Sequence, residues 1–343
     1  MALEKRKLIT VGIIGTGGMG TRHAGNIHRL VDGAIVSAVY DTDKENAANA
    51  AAICDGAQIF DDPLKLINSS TVDAVLIASP DDTHAKMTLA CLHAGKAVLC
   101  EKPLATRVED ALEVVRAEMK YGRRLVSVGF MRRFDPQHAA VREAVLSGEL
   151  GQPLLWKGVH RNASSAYGTS GATVLTNSAG HDMDSARFLL GEEVLEVFVR
   201  GIKTRPELHE DTRDLLILNM RMSNDKMAVG EVFVNADYGY EVSAEVVCQY
   251  GTAVTQQPDK VLLRHKAQRG FFVSADWLSP FTEAYISEDR AWIESIQTGI
   301  VFKGASAWDG YMAMSVTNAC IESLHTGKIV PVKTIEKAEM YKL

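Results

Sequence analysis

The sequence predicts an α/β protein in two parts. The first is a doubly wound, mostly parallel sheet; the second is an α+β part with a mostly antiparallel sheet. Three observations lead there. Up to about residue 130, short apolar, β-branched runs alternate with helical patterns, as strands buried on both faces alternate with covering helices. The first of those runs opens onto Gly15-Thr-Gly-Gly-Met-Gly20, which matches G-x-G-x-x-G. Beyond residue 153, strand-like runs follow one another through short connections, the habit of antiparallel sheets.

The chain has 343 residues, enough for two domains, divided here into 1–130 and 131–343. A net charge of −6 argues against nucleic acid as a partner, because phosphate binding needs a basic face. No apolar core of a signal peptide follows Met1–Lys7, and the run Leu8–Gly15 is too short to span a bilayer. The expectation is therefore a protein without a membrane partner. Five cysteines, with no C-x-x-C spacing, point away from structural zinc or a disulfide framework and toward a cytoplasmic setting.

In order, Leu8–Ile14 reads as a buried strand and the segment to about Leu30 as a helix, with Ile27, Leu30 and Val31 on its apolar side. Each glycine of the turn has a task. Gly15 permits the tight bend, Gly17 lets the backbone approach a pyrophosphate, and Gly20 allows close helix–strand packing. Thr16, Gly18 and Met19 complete the loop, and the helix amino terminus turns its N–H groups and positive dipole end toward phosphate. Ala34–Tyr40 is a second strand, ended by Asp41. An acid at that distance accepts hydrogen bonds from ribose hydroxyls and repels a 2′-phosphate, so the expected cofactor is NAD rather than NADP.

Lys44–Ala52 reads as a helix, Gln58–Phe60 as a short strand, and Pro63–Ser69 as a helix opening at Asp62. Val72–Ala78 is a strand, and Ser79–His84 is the loop at its carboxyl end, where Ser79 and His84 lie on the expected nicotinamide side. His84 also suits the start of the helix His84–Gly95. The run Ala97–Cys100 leads into Glu101-Lys-Pro103, so Lys102 emerges at the carboxyl edge of the sheet, where ligands bind in open α/β folds. A helix over Val108–Tyr121 and a strand over Leu125–Gly129 close this part. Pro136 then opens a helix to about Leu146, and residues 147–153 form a turn-rich joint. Strands are expected at Leu154–Val159, Val194–Gly201, Asp214–Met220, Met227–Ala236, Glu241–Tyr250 and, more weakly, Val261–Leu263. The helices of this part are Gly180–Leu190, Phe281–Gly299 and Trp308–His325.

Gly15–Gly20 with Asp41, Glu101-Lys-Pro103, Gly129-Phe-Met-Arg-Arg-Phe-Asp135, Val159-His-Arg-Asn162, His181-Asp-Met-Asp184, Asn235–Tyr240 and Ala284-Tyr285 together resemble the glucose–fructose oxidoreductase/inositol dehydrogenase/MocA family. Within it the inositol 2-dehydrogenases are the nearest group. The resemblance implies an amino-terminal Rossmann domain and a carboxyl-terminal α+β domain whose large open sheet pairs subunits, usually as a homotetramer. It also implies oxidation of one cyclitol hydroxyl to a ketone with hydride passing to NAD, as in inositol catabolism.

Removing hydride from a carbinol carbon requires a base within reach of the hydroxyl proton. His181 suits that role near neutral pH, and Lys102 can stabilise developing alkoxide character. The resemblance makes His181 the proton acceptor and Lys102 its partner. It also places Glu101 and Lys102 against the cofactor, and Met131, Arg132, His160, Asn162, Tyr285 and either Tyr238 or Tyr240, the latter preferred, around the substrate. One departure stands out. Four residues before the histidine the inositol dehydrogenases carry a carboxylate, where this chain has Asn177. An amide both donates and accepts but holds no charge, so an altered preference between myo- and scyllo-inositol is expected. Asp182 and Asp184 lack the further ligands of a metal site, and no metal is expected. Two other readings remain: a dehydrogenase of another sugar or cyclitol, and a non-catalytic NAD-binding regulator.

Overall fold

The computed structural model describes residues 7–165, 168–256, 263–265, 268–271 and 273–342. In chain order its elements are β1 (Ile9–Ile14), α1 (Gly18–Leu30), β2 (Ala34–Tyr40), α2 (Lys44–Ile53), β3 (Gln58–Ile59), α3 (Pro63–Asn68), β4 (Ala74–Ile77), α4 (His84–His93), β5 (Ala97–Glu101), α5 (Val108–Tyr121) and β6 (Val126–Gly129). There follow α6 (Pro136–Leu146), β7 (Pro153–Arg161), α7 (Gly171–Val174), α8 (Gly180–Leu190), β8 (Val194–Ile202), β9 (Leu215–Met222), β10 (Met227–Phe233), β11 (Glu241–Cys248) and β12 (Thr252–Val254). The chain ends through β13 (Leu263–His265), β14 (Gln268–Gly270), α9 (Thr282–Thr298), β15 (Ala305–Ser306), α10 (Ala307–Thr326) and β16 (Val330–Pro331). The weak strand expected at Val261–Leu263 falls, for Val261 and Leu262, outside the described residues.

The chain packs as two units. One holds the residues up to Phe134, Glu283–Met314 and those from Ile335 on; the other holds Asp135–Thr282 and Ser315–Thr334. In the first, six parallel strands run in the order β6-β5-β4-β1-β2-β3, and β15 joins antiparallel to β6. The interiors of β1, β2, β4, β5 and β6 are mostly Val, Ile, Leu and Ala because both faces are covered, whereas both residues of the edge strand β3 are exposed. On α1, residues Gly20, His23, Ala24 and Ile27 share the buried face at helical spacing. Leu30, expected on that face, is 52% exposed, and Val31 beyond the helix end turns inward instead. Trp292 and Ile293 of α9 join the core of this sheet, so a late segment of the chain completes the early fold.

The second unit is a seven-stranded sheet in the order β12-β11-β7-β10-β9-β8-β16. It is antiparallel throughout except for the β7–β10 pair. One face packs its alternate residues, among them Trp156, Val199, Leu218 and Val232, with Leu175, Met183, Leu189, Val316 and Cys320 from the helical segments. Gly158 is required under this layer, since a Cβ there would come within 2.1 Å of the Trp156 ring. A short helix, α7, and a π-helical turn over Leu175–Ala179 precede α8. The sequence gives no expectation of helix at 171–179, a stretch of small and β-branched residues; Ser170 caps it through the Thr173 N–H. Among the described residues no helix is long and apolar enough to cross a membrane.

Candidate active site

The first unit supplies a cradle made largely of backbone. Gly15 has φ +85°, and a Cβ on it would lie 2.4 Å from the Ser79 nitrogen. A Cβ on Gly20 would lie 1.8 Å from the Gly15 carbonyl oxygen, so the third glycine is demanded by helix–strand contact. Gly17 and Gly18 are exposed, and a Cβ on either meets nothing within 4 Å. The turn is thus tight behind and open in front. No side chain caps α1, so its first N–H groups are offered to a ligand, beside half-buried Met19.

Asp41 at the end of β2 is fixed beside this turn. Its Oδ2 accepts from the Thr16 N–H at 2.6 Å and from Thr16 Oγ1 at 3.1 Å, and its Oδ1 accepts from the Asp43 N–H at 2.8 Å. A dinucleotide fits these residues: phosphate at the uncapped helix start, and ribose hydroxyls against an oriented carboxylate.

The next two strand ends meet in a second cluster. The Ser79 hydroxyl pairs with Thr83 Oγ1 at 2.6 Å. His84, the first residue of α4, is buried, with Nε2 2.8 Å from the Ser79 carbonyl oxygen and Nδ1 2.6 Å from the Pro103 carbonyl oxygen. Glu101 Oε2 accepts from the Lys102 N–H at 3.0 Å, and its Oε1 lies 3.0 Å from His23 Nε2. His23 Nδ1 is 2.7 Å from Asp289 Oδ1, and the Asn26 amide donates to Asp289 Oδ2 at 3.1 Å. Burial by itself favours neutral His23, but Asp289 and then Glu101 outweigh it and hold the ring well above an ordinary histidine. Burial likewise favours neutral Glu101, yet the His23 hydrogen bond and the His23 and Lys102 charges keep it below the usual carboxylate range. Tyr285 packs its ring edge-on to His23 at 5.7 Å. Met131 and Arg132 are buried in a 3₁₀ turn directly after β6.

The second unit gathers a different set. His160 on β7 is buried, and its Nδ1 lies 2.8 Å from Asp182 Oδ2 of α8. Tyr240 sets its ring edge-on to His160 at 5.8 Å and in turn meets Phe281 at 6.3 Å. This separates the two tyrosines. Tyr240 is 6% exposed and packed on His160, whereas Tyr238 is 50% exposed with its hydroxyl on Glu241 and Arg161. Asn162 is tied by its backbone to Phe233 and Ala236. Its Oδ1 is buried with no hydrogen-bond partner among the described residues. Asn177 sits on the π-helical turn, its amide donating to the Thr173 carbonyl oxygen at 3.2 Å. His181 follows on the first turn of α8, 9% exposed.

Within the first unit the structure therefore joins Gly15, Thr16, Gly20, Asp41, Ser79, His84, Glu101 and Lys102 through direct contacts. Within the second it joins His160 and Tyr240. Sequence reasoning passed over His23, Asp289 and the role of Asp182. A signal existed for His23 alone, because it falls with Gly20, Ala24 and Ile27 on one helix face, where a histidine needs a polar partner.

Comparison with known proteins agrees with this division. Residues 9–130 match the model of an oxidoreductase family with an NAD-binding Rossmann fold, GFO/IDH/MocA, and residues 138–254 match the GFO/IDH/MocA carboxyl-terminal domain. An inositol 2-dehydrogenase of Rubrobacter xylanophilus is 43% identical, over 97% of this chain and 96% of its own. Among solved structures, myo-inositol dehydrogenase from Lactobacillus casei, in complex with NAD(H) and myo-inositol, superposes with a TM-score of 0.92 at 29% identity, covering 97% of this chain and 99% of that one. Scyllo-inositol dehydrogenase from Lactobacillus casei, with NAD(H) and scyllo-inositol, gives 0.87 at 25% identity over 95% and 99%.

Proposed function

This chain belongs to the GFO/IDH/MocA oxidoreductase family, and from that premise we propose that it is an NAD-dependent inositol dehydrogenase, oxidising one ring hydroxyl of scyllo- or myo-inositol to the inosose. The observation that carries the reading is the likeness, along nearly the full length of both chains, to an inositol 2-dehydrogenase. The first unit, built mainly from residues 1–130, supplies the cofactor domain, and the second, drawn from within 131–343, the substrate and assembly domain.

NAD, when bound, accepts the hydride from the carbinol carbon. His181 takes the hydroxyl proton, and Lys102 donates a hydrogen bond to the same oxygen as it gains alkoxide character. Products are the ketone, NADH and one proton. Gly15–Gly20 receive the pyrophosphate, Asp41 the adenosine ribose, and Ser79, His84, Glu101 and Lys102 border the nicotinamide end. Met131 packs against the ring, and Arg132, His160, Asn162, Asn177, Tyr240 and Tyr285 address its hydroxyls. An uncharged polyol suits neutral donors and acceptors of this kind.

Assembly as a homotetramer through the second unit's sheet fits a face on which Leu155, Val159, Ile217, Val229, Phe233 and Val247 are only partly buried. Five free, buried cysteines fit a reducing cytoplasm.

The test is NADH formation, followed by absorbance, with NAD and a panel of myo-inositol, scyllo-inositol, D-chiro-inositol and glucose. Turnover is expected on an inositol, with the myo/scyllo ratio shifted about tenfold in Asn177→Asp, the worth of one hydrogen bond made or lost. Turnover on glucose alone points to a sugar dehydrogenase, and NAD binding without turnover on any of the four overturns the catalytic reading.

A further inference from the structure

The turn Glu101-Lys102-Pro103 is gripped by two buried histidines, and both act on main-chain atoms around Lys102. Through Glu101, His23 reaches the N–H of Lys102 itself. His84 reaches the carbonyl oxygen of Pro103, the next residue. The first group lies in the peptide plane that enters the Lys102 Cα and the second in the plane that leaves Pro103, so the backbone is held on both sides of Lys102, and with it the place where the side chain sets out. The far ends of the clamps are anchored as well. His23 stands on α1, which begins at the glycine turn, and is held by Asp289 of α9. His84 is held by the carbonyl oxygen of Ser79, at the end of β4.

Every one of these partners is an ionised carboxylate or a carbonyl oxygen, and neither can donate. A ring with such an acceptor at both nitrogens needs a proton on each, so His23 and His84 both stand as imidazolium ions. A neutral ring would press a nitrogen lone pair against an oxygen lone pair in a buried site, where an unmade hydrogen bond is costly. The ionisable groups facing His23 are Glu101 from β5 and Asp289 from α9, with the Tyr285 ring edge beside them. Among the described residues, the one facing His84 is Cys100 from β5. For His84 burial favours the neutral ring, while Cys100 and the two carbonyl oxygens favour the charged one and push it up to about 10.

We propose that His23 and His84 are positioning residues, a pair of two-acceptor clamps that fix the Glu101–Pro103 backbone and so aim the amine of Lys102. The role given to Lys102 rests on the inositol dehydrogenase reading. The clamps add that its aim is registered against both the glycine turn and the Ser79 loop. A histidine suits this work because it spans two acceptors on opposite sides of a rigid ring, which no other neutral-pH cation of its size does.

The test compares His23→Gln and His84→Gln with the parent enzyme. Glutamine keeps a donor but loses the second anchor and the charge. Four quantities are read: kcat and KM with inositol, NADH affinity by fluorescence titration, and the rate at which an amine-specific reagent labels Lys102, followed by peptide mass spectrometry. The expected result is a kcat lower by about 10- to 100-fold, the effect of small misplacement of a reacting group, with inositol KM within about threefold. In His23→Gln the NADH affinity stays within about threefold, because the helix start that receives phosphate is untouched. Lys102 labelling changes by about threefold or more, as expected of an amine re-aimed relative to its neighbours. Folded variants with the parent kcat and the parent labelling rate overturn the proposal, and so does a parallel rise in KM and loss of NADH binding without a kcat effect. Should His23→Gln not fold, Asp289→Asn keeps the imidazole, removes one anion and carries the same expectation. If the parent turns over no inositol, the functional reading fails, while the labelling comparison still decides the clamps.

Discussion

His23 and His160 are both buried, both hydrogen-bonded to an aspartate and both met edge-on by a tyrosine, Tyr285 in one case and Tyr240 in the other. They nevertheless serve different ends. His23 carries a carboxylate on each nitrogen, and its second partner, Glu101, passes the constraint to a backbone N–H. His160 is oriented through Nδ1 by Asp182, a bond that requires one N–H and fixes a side chain rather than a turn. A histidine bridging two anions stabilises a piece of main chain as a cation, whereas the aspartate on Nδ1 of His160 orients that ring itself. Disturbing the first should alter the rate, and disturbing the second should alter substrate affinity.

The largest expected effect lies on the helix that also carries Asp182. With His181 as proton acceptor, His181→Ala lowers kcat by about 10²- to 10⁴-fold, while NADH affinity by fluorescence titration is unchanged. The same variant calibrates the comparison. A His181→Ala enzyme that loses less kcat than His23→Gln would place the proton chemistry in the first unit and break the division of labour drawn above.

A smaller effect, read in stability, separates the cationic bridge from an ordinary buried pair. His23 is raised in the fold above its usual value of 6.5, so its contribution is complete below that pH and is lost as pH rises through the folded value. Glu101 is lowered below its usual 4.5, so its contribution is complete above that pH and is lost as pH falls through the folded value. Both are therefore fully present between pH 4.5 and 6.5. Asp289→Asn should cost about 3 kcal/mol there, the scale of breaking a buried ion pair. The gap in melting temperature between parent and variant should narrow toward alkaline pH as the parent's own His23 loses its proton. A gap of constant size from about pH 5 to about 9 would mean that His23 is not held as a cation.

The two regions also differ in how far they could be read before the fold was in view. The cofactor cradle depends on backbone approach, and backbone approach leaves a mark in sequence, because only glycine tolerates the φ of Gly15 or the contact at Gly20. Asp41 was legible for a related reason, its distance from that turn being fixed by one helix and one strand. The second-unit set is made of side chains from β7, α8 and the Tyr240 region, separated by tens of residues. Their meeting depends on strand register, including the parallel β7–β10 pairing, which no local pattern announces. His160, Asn162, Tyr240 and His181 were accordingly reached through resemblance. Asp289 was not reached at all, since α9 lies far down the chain and reads as an ordinary amphipathic helix. The π-helical turn that carries Asn177 was missed because Thr176, Asn177 and Ser178 at its centre have weak helix propensity; packing of Leu175 and Ala179 into the second core stabilises it.

The smallest expected effect is the sharpest on the comparison itself. Asp182→Asn keeps the shape of the His160 contact but replaces a carboxylate that accepts a charge-assisted hydrogen bond by an amide that also donates. If His160 is aimed by Asp182 for a contact of its own, the ring loses its preferred tautomer while the fold keeps its packing against Tyr240. Inositol KM should then rise about tenfold with kcat within about threefold, the loss expected when a substrate hydrogen bond is weakened alike in the ground and transition states. NADH affinity should not move, because the dinucleotide cradle is oriented within the first unit, by Thr16, Asp41 and the start of α1. A fall in kcat at unchanged KM would put His160 beside His23 and His84 as a group that serves the reacting atoms. The contrast between a clamped main chain and an aimed side chain would then have to be redrawn around the charge each histidine carries.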